Sequence, residues 1–210
     1  MNKNLRIMER DKKVMREIDR WRVCLGRHIR ELAGFTGERA CDRRLRKLID
    51  AGYITRMKVL YGIPSVYQTT NQAKYIEPTL SKPDKLRLEQ LKHDITVLDT
   101  AIYLHKEIRI PFENITTEKE LHRQDGFGIR KHRPDFIYQH EGKTNCVEVE
   151  LTLKATDRLI EIIKDDFLEY DTQIWIVPDI KCKIANILKA NKAKYPNIEI
   201  KEIKEVERHE

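Results

Sequence analysis

The stretch ERACDRRLRKLIDAGYITRMKVLYGIPSVYQTT, residues 38–70, reads as a helix, a stop and a hairpin. Cys41, Leu45, Leu48 and Ile49 fall at helical spacing and make one apolar stripe, while Arg39, Arg43, Arg46 and Lys47 project from the other side. Gly52 can take the left-handed conformation that closes a helix. Beyond it, Ile54–Leu60 and Ser65–Thr69 read as two short strands, with Tyr61, Gly62, Ile63 and Pro64 as the turn between them.

Towards the N-terminus, residues 8–23 carry Val14, Ile18 and Trp21 at helical spacing, with Leu25 next in the series and charges opposite. A second helix is expected over 26–34 from His28, Ile29 and Leu32, and Gly34 and Gly37 bracket a short turn around Phe35 and Thr36. Three helices and then a hairpin is the order of a winged helix-turn-helix, here over residues 1–80. Such a domain lays its third helix in the major groove, where Arg39, Arg43, Arg46 and Lys47 would meet guanine edges and phosphates. The wing, with Arg56 and Lys58, would follow the backbone. Arg44 suits either an inward or an outward role. Winged helices also bind proteins, but the basic outer face favours double-stranded DNA.

The charge distribution agrees. Residues 1–82 hold 19 Lys and Arg against 9 Asp and Glu, a balance of +10, and residues 83–210 hold 22 against 25, a balance of −3, which together make the formal +7 of the chain. A nucleic-acid-binding module joined to a second part explains this asymmetry, although a basic face is also compatible with plain solvation. With 36% charged and 40% hydrophobic residues, the composition is that of a globular chain and excludes wholesale disorder. MNKNLRIMERDKK lacks the apolar core of a secretion signal, and no apolar run approaches the ~20 residues of a bilayer span. A cytoplasmic protein without a membrane partner is expected. Cys24, Cys41, Cys146 and Cys182 lie far apart without CxxC spacing, which suggests neither a zinc site nor a disulfide framework.

EPTLSKPD, residues 77–84, has two prolines and little apolar matter and reads as a domain boundary. From residue 85 to 210 the pattern gives a long helix over Lys85–Glu107 and strand-like segments near 110–116, 134–139 and 145–151. A helix over 154–169, the apolar strand QIWIVP (173–178), a helix over 180–194 and the alternating strand NIEIKEI (197–203) follow. KELHRQDGFGIRKH (119–132) reads as loop. The expected class is α+β, with the second domain a mixed α/β sheet carrying helices on its faces.

Three carboxylates stand out in that domain. Asp135 follows Pro134 at the start of a strand, and Glu148 and Glu150 sit two apart in CVEVEL, on one face of the next strand. If the two strands pair as a hairpin, Asp135 comes near the far end of its partner. Such a set can hold Mg²⁺ or Mn²⁺, which need hard oxygen ligands and neutralise charge on a phosphate. Lys154, just beyond the strand, would then stabilise that charge or orient water. The competing reading is a half-exposed strand, since Val-Glu-Val-Glu alternation is also what a strand with one wet face looks like. His93 and Asp94 on the long helix, and His122 and His132 in the loop, read as structural or solvated groups that could also reach the carboxylates or a phosphate. There is no phosphate loop, GxSxG or HExxH motif.

The helix–three strands–helix–strand order from residue 85 to 178 resembles the core of the PD-(D/E)xK nuclease superfamily, which includes restriction endonucleases. Pro134-Asp135 and Glu148 match its Pro-Asp and acidic positions, and Glu150 stands where that motif has lysine. Over residues 8–165 the chain is also similar to the replication-relaxation family of bacterial plasmids and integrative elements. ERDKKVMREI, RRLRKLIDAGYI, VYQTTNQAKYI, KHDITVLDTAIYL, RPDF and VEVELTLK carry that likeness. The resemblance implies a winged helix over 1–80, a PD-(D/E)xK nuclease-like domain over 85–210, and a role in plasmid replication or DNA relaxation. Two functions follow. One is a metal-dependent DNA endonuclease or nickase, with Asp135, Glu148 and Glu150 on Mg²⁺ or Mn²⁺ and Lys154 assisting. The other is a non-catalytic DNA-binding accessory factor or transcriptional regulator, whose second domain serves dimerisation or binds other replication or mobilisation proteins.

Overall fold

The computed structural model describes residues 5–59, 61–62, 64–126, 128, 131–153 and 155–207. Among them the chain is α+β, with eight α-helices and two β-sheets. It divides into two compact units, Met1–Leu98 and Asp99–Glu210, and the division falls inside a helix. No helix among the described residues is long and apolar enough to cross a membrane.

The first unit runs α1 (Glu9–Arg20), β1 (Cys24–Leu25), α2 (Gly26–Leu32), α3 (Glu38–Asp50), β2 (Ile54–Met57) and β3 (Val66–Thr69). The expected helices and hairpin are present, with shorter strands than their composition suggests. β1 is an addition: Cys24 pairs with Tyr67 and Leu25 with Val66, giving an antiparallel sheet in the order β1-β3-β2. Val14, Met15, Ile18, Ile29, Leu32, Leu45 and Leu48 from the three helices are buried together with Leu25. At the end of α3, Gly52 takes φ +81°, its N–H reaches Ile49 and the next N–H reaches Leu48. A side chain there would be strained, and its Cβ would sit 2.7 Å from Gln72 Oε1.

One ion pair ties α1 to α3. Asp11, fully buried, accepts the Met8 N–H at 2.7 Å and the Arg44 Nε–H at 2.6 Å, and its second oxygen also meets an Arg44 Nη. Arg44 donates as well to the Arg6 carbonyl at 2.8 Å. The inward role therefore falls to Arg44, and the guanidinium bonds hold its proton more firmly than usual.

The 77–84 stretch, boundary-like in composition, is fastened to the first unit. Glu77 accepts from Arg16 at 2.9 Å, Leu80 is buried, and the Ser81 N–H and hydroxyl both donate to Asp19. Gln68 of β3 donates to the Asp84 carbonyl at 3.3 Å. Beyond it α4 (Leu88–Ile108) begins, and its Leu91 is buried in one apolar cluster with Val23, Leu25 and Val66.

The second unit continues with β4 (Ile115–Thr117), α5 (Glu118–Asp125), β5 (Phe136–His140), β6 (Lys143–Val149), α6 (Thr156–Glu169), β7 (Thr172–Val177), α7 (Lys183–Asn191), β8 (Ile198–Glu202) and α8 (Ile203–Glu207). The sheet order is β4-β5-β6-β7-β8, antiparallel across the first three strands and parallel across the last three. α6 and α7 bury Leu159, Ile162, Ile163, Ile184 and Leu188 against Trp175 and Val177 of β7. Between them, the buried Gln173 donates to the Ile163 carbonyl and accepts from the Trp175 indole, so its polar atoms are satisfied. The expected 119–132 loop is corrected in its first half, where α5 forms. Thr117 and Glu120 build a capping box, each taking the other's backbone N–H, a nucleus that a count of apolar residues does not register.

Removing Arg44 would leave the buried Asp11 charge unpaired. Arg44→Ala should therefore destabilise the first unit by about 3–5 kcal/mol, read as a lower urea midpoint at unchanged slope. A loss under about 1 kcal/mol would place this pair among weak surface bridges.

Candidate functional site

The face of α3 away from the core is basic and wet. Arg39, Arg43, Arg46 and Lys47 are all exposed, as are Arg56 on β2 and Lys58 just past it. Arg56 also lies 6.0 Å from the Tyr67 ring centre, a cation–π distance. Six cations on the helix and hairpin thus face solvent, whereas Arg44 is held internally.

In the second unit the β5–β6 hairpin has the expected pairing, with Phe136 opposite Val147 and Ile137 opposite Cys146. Asp135, one residue before β5, accepts the Val149 N–H at 2.7 Å and so extends the ladder with its side chain. Glu148 and Glu150 are 4% and 3% exposed, and the alternating Val147 and Val149 are buried too. The half-exposed strand is therefore excluded: both faces of this segment are covered. Strand register sets Glu148 beside Trp175, whose side chain packs under α6, so Glu148 lies on the α6 face. Lys154 lies outside the described residues.

The partners of Glu148 were not foreseen as a set. His132 Nε2 is 2.6 Å from Glu148 Oε1 and is partly buried, not solvated. Asp166, on the apolar stripe of α6 with Leu159, Ile162 and Ile163, is 2% exposed. Ligand atoms of His132, Glu148 and Asp166 all lie within 4.8 Å of one another; Asp135 and Glu150 are not in this group. Asp166 Oδ2 is buried without a hydrogen-bond partner. Burial first, and then the Glu148 charge, push the Asp166 carboxyl up from 3.8 to about 8, against the pull of His132. Burial likewise raises the neighbouring Cys146 thiol, with Asp166 and Glu148 adding to it.

His132 is aimed by its neighbours. Lys131 pairs with Glu169 of α6, and Arg133 bridges Glu169 at 2.7 Å and Asp125 of α5 at 2.9 Å. These bonds raise the Arg133 proton affinity further and hold the Asp125 carboxyl below its usual range. With the residues on either side pinned to Glu169, the imidazole between them meets Glu148. A groove of about 480 Å³ opens here, lined by His122, Lys131, His132, Arg133 and Arg158 together with Glu118, Glu161 and Asp165. His122 itself lies 3.6 Å from Glu118 and 3.7 Å from Asp125. His93 stands 3.6 Å from Asp94 on α4, within the first unit.

The signal for Asp166 was present in the sequence. In TDRLIEIIKDDFLE a carboxylate occupies the i+7 position of a stripe begun by Leu159. Comparison with family models, with curated proteins and with solved structures finds no match to this chain.

In chelator, the raised Asp166 value has a defined sign. The unfolded chain loses this proton near 3.8, while the folded chain keeps it to about 8. The stability it contributes is complete below the lower value and is lost as pH rises through the upper one. Asp166→Asn should remove that loss, so its melting temperature should fall less than that of the parent between about pH 5 and about pH 8. Superimposable pH profiles would show that Asp166 ionises normally.

Proposed function

We propose that this chain is a DNA-binding protein that joins a winged helix to a PD-(D/E)xK-type unit able to hydrolyse phosphodiesters with a divalent cation. It would serve replication, relaxation or mobilisation of a plasmid or other mobile element. The observation that carries the reading is the Asp135–Val149 hydrogen bond, which draws the Pro-Asp element alongside the buried Glu148 and Glu150. The element order α4, β4, β5, β6, α6, β7, with α5 inserted, supports the same reading, as does the β1-β3-β2 sheet behind the three N-terminal helices.

The residues present fit a divalent ion, since Asp166 Oδ2 has no partner and carboxylates are hard donors. Asp135, Glu148 and Glu150 are the ligands the nuclease resemblance assigns to Mg²⁺ or Mn²⁺. A bound ion would supply Lewis-acid charge at a phosphate and ease the ionisation of water. The chain's own residues do the rest. Arg39, Arg43, Arg46 and Lys47 bind the duplex, and Arg56 and Lys58 follow its backbone. His122 and Arg158 on the groove wall draw in phosphate; Lys154, just past the strand in sequence, would stabilise the developing charge or orient water. The second reading, a non-catalytic accessory factor or regulator, has its own support: Glu150 occupies the lysine position and is buried, and Asp135 already spends one oxygen on the backbone.

Full-length protein should bind duplex DNA with affinity falling steeply as salt rises, because each neutralised phosphate releases counterions. Arg43→Ala with Arg46→Ala should cost about 1–3 kcal/mol per base-reading contact and flatten the salt slope by about 1 per phosphate contact. Undiminished binding in a gel-shift titration would remove α3 from this role. Supercoiled plasmid incubated with Mg²⁺ or Mn²⁺ should be nicked or linearised by the parent and not by Glu148→Gln. Binding without any cleavage by the parent would leave the accessory-factor reading.

A further inference from the structure

The geometry points to a three-ligand centre made of His132, Glu148 and Asp166 that takes a first-row transition ion in preference to Mg²⁺. The inference rests on the reading of Glu148 as a metal ligand and replaces its companions. Two of the three residues come from outside the Asp135, Glu148 and Glu150 set.

Three observations carry it. The ligand atoms of His132, Glu148 and Asp166 converge within 4.8 Å. Asp166 Oδ2, on a side chain 2% exposed, has no hydrogen bond, an arrangement that is costly unless a proton or a cation completes it. Asp135, by contrast, has one oxygen held by Val149 N–H at 2.7 Å and lies outside the converging group. A single cation reached by both Glu148 and Asp166 takes the place of the proton between them and offsets the two like charges that then share one buried interface.

The donor set decides the ion. Mg²⁺ demands oxygen ligands in near-ideal octahedral geometry and keeps several waters, whereas imidazole suits Zn²⁺, Fe²⁺ and related ions. One imidazole and two carboxylates, with further positions left for water or substrate, is the composition of a site that acts on a ligand and not of a closed structural one. The groove that opens at His132 carries His122, Lys131, Arg133 and Arg158 but also Glu118, Glu161 and Asp165, and it leaves room beside the ion for water or a ligand. Lys131 and Arg133, pinned to Glu169, hold the imidazole where the ion needs it.

Calorimetric titration of the chelator-stripped full-length chain with Mn²⁺, Zn²⁺ and Mg²⁺ separately tests this. One site is expected, with Mn²⁺ and Zn²⁺ each at least about tenfold tighter than Mg²⁺. Asp166→Asn and His132→Gln should each weaken Mn²⁺ by more than ~100-fold, beyond the 10–100-fold that loss of an outer-sphere partner costs. Asp135→Asn should weaken it less than tenfold. Asp166→Asn keeps the shape of the side chain, and its melting curve in chelator verifies folding. If Asp135→Asn abolishes binding while Asp166→Asn does not, the ion sits on the nuclease-type carboxylates: the inference fails and the proposed function stands. If Mg²⁺ binds as tightly as Mn²⁺ and Zn²⁺, or no ion binds, the inference is overturned. Transition-ion binding with these variant effects but no DNA cleavage would sustain the centre and remove the nuclease reading.

Discussion

Two carboxylates, Glu148 on the sheet and Asp166 on the helix above it, share an interface from which water is largely excluded. Buried like charges repel and lack solvation, so such a pair persists only with a proton, a cation or an imidazolium to offset it. Much of the second unit is arranged around that demand. The parallel β6–β7 register turns Glu148 towards α6, and the α6 stripe turns Asp166 towards Glu148. The KHRPD segment then threads past the end of α6. Lys131 and Arg133 grip Glu169 on one side, and His132 is delivered to Glu148 on the other. An apolar core alone would not call for these features; an isosteric Leu or Met in place of either acid would bury more easily.

The first unit shows the opposite economy of charge. Its arginines divide by neighbour and not by type. Arg44 and Arg16 are consumed by Asp11 and Glu77, fixing α3 to α1 and the 77–84 strap to α1. Arg39, Arg43 and Arg46 stay on the wet face of the same helix. Part of the +10 balance of residues 1–82 therefore reaches the surface on α3 and the hairpin, beside the exposed Glu38, Asp42 and Asp50 of the same helix.

Several helices and central strands were legible because they obey a local period, 3.6 for α1 and α3 and 2 for β6. What escaped was non-local or too short to have a period. β1 is two residues whose strand character comes from Tyr67 and Val66, over forty positions away in the chain. α5 depends on one capping box, and the strap at 77–84 on side-chain bonds to Arg16 and Asp19. The site was half visible. Asp135, Glu148 and Glu150 announce themselves by spacing, but spacing could not tell a wet strand face from a covered one. His132 lies in a stretch that reads as loop, and Asp166 is one of several acids on an amphipathic helix, with no spacing that ties it to the strand. Only the packing of α6 on β6 and β7 brings them to Glu148.

The most direct test is crystallographic: anomalous difference density at the Mn edge from crystals of the full-length chain equilibrated with Mn²⁺. One strong peak is expected, within bonding distance of His132 Nε2 and of oxygens of Glu148 and Asp166. A peak between Asp135 and Glu148 with His132 unliganded, or no peak beside Glu148, would contradict that expectation.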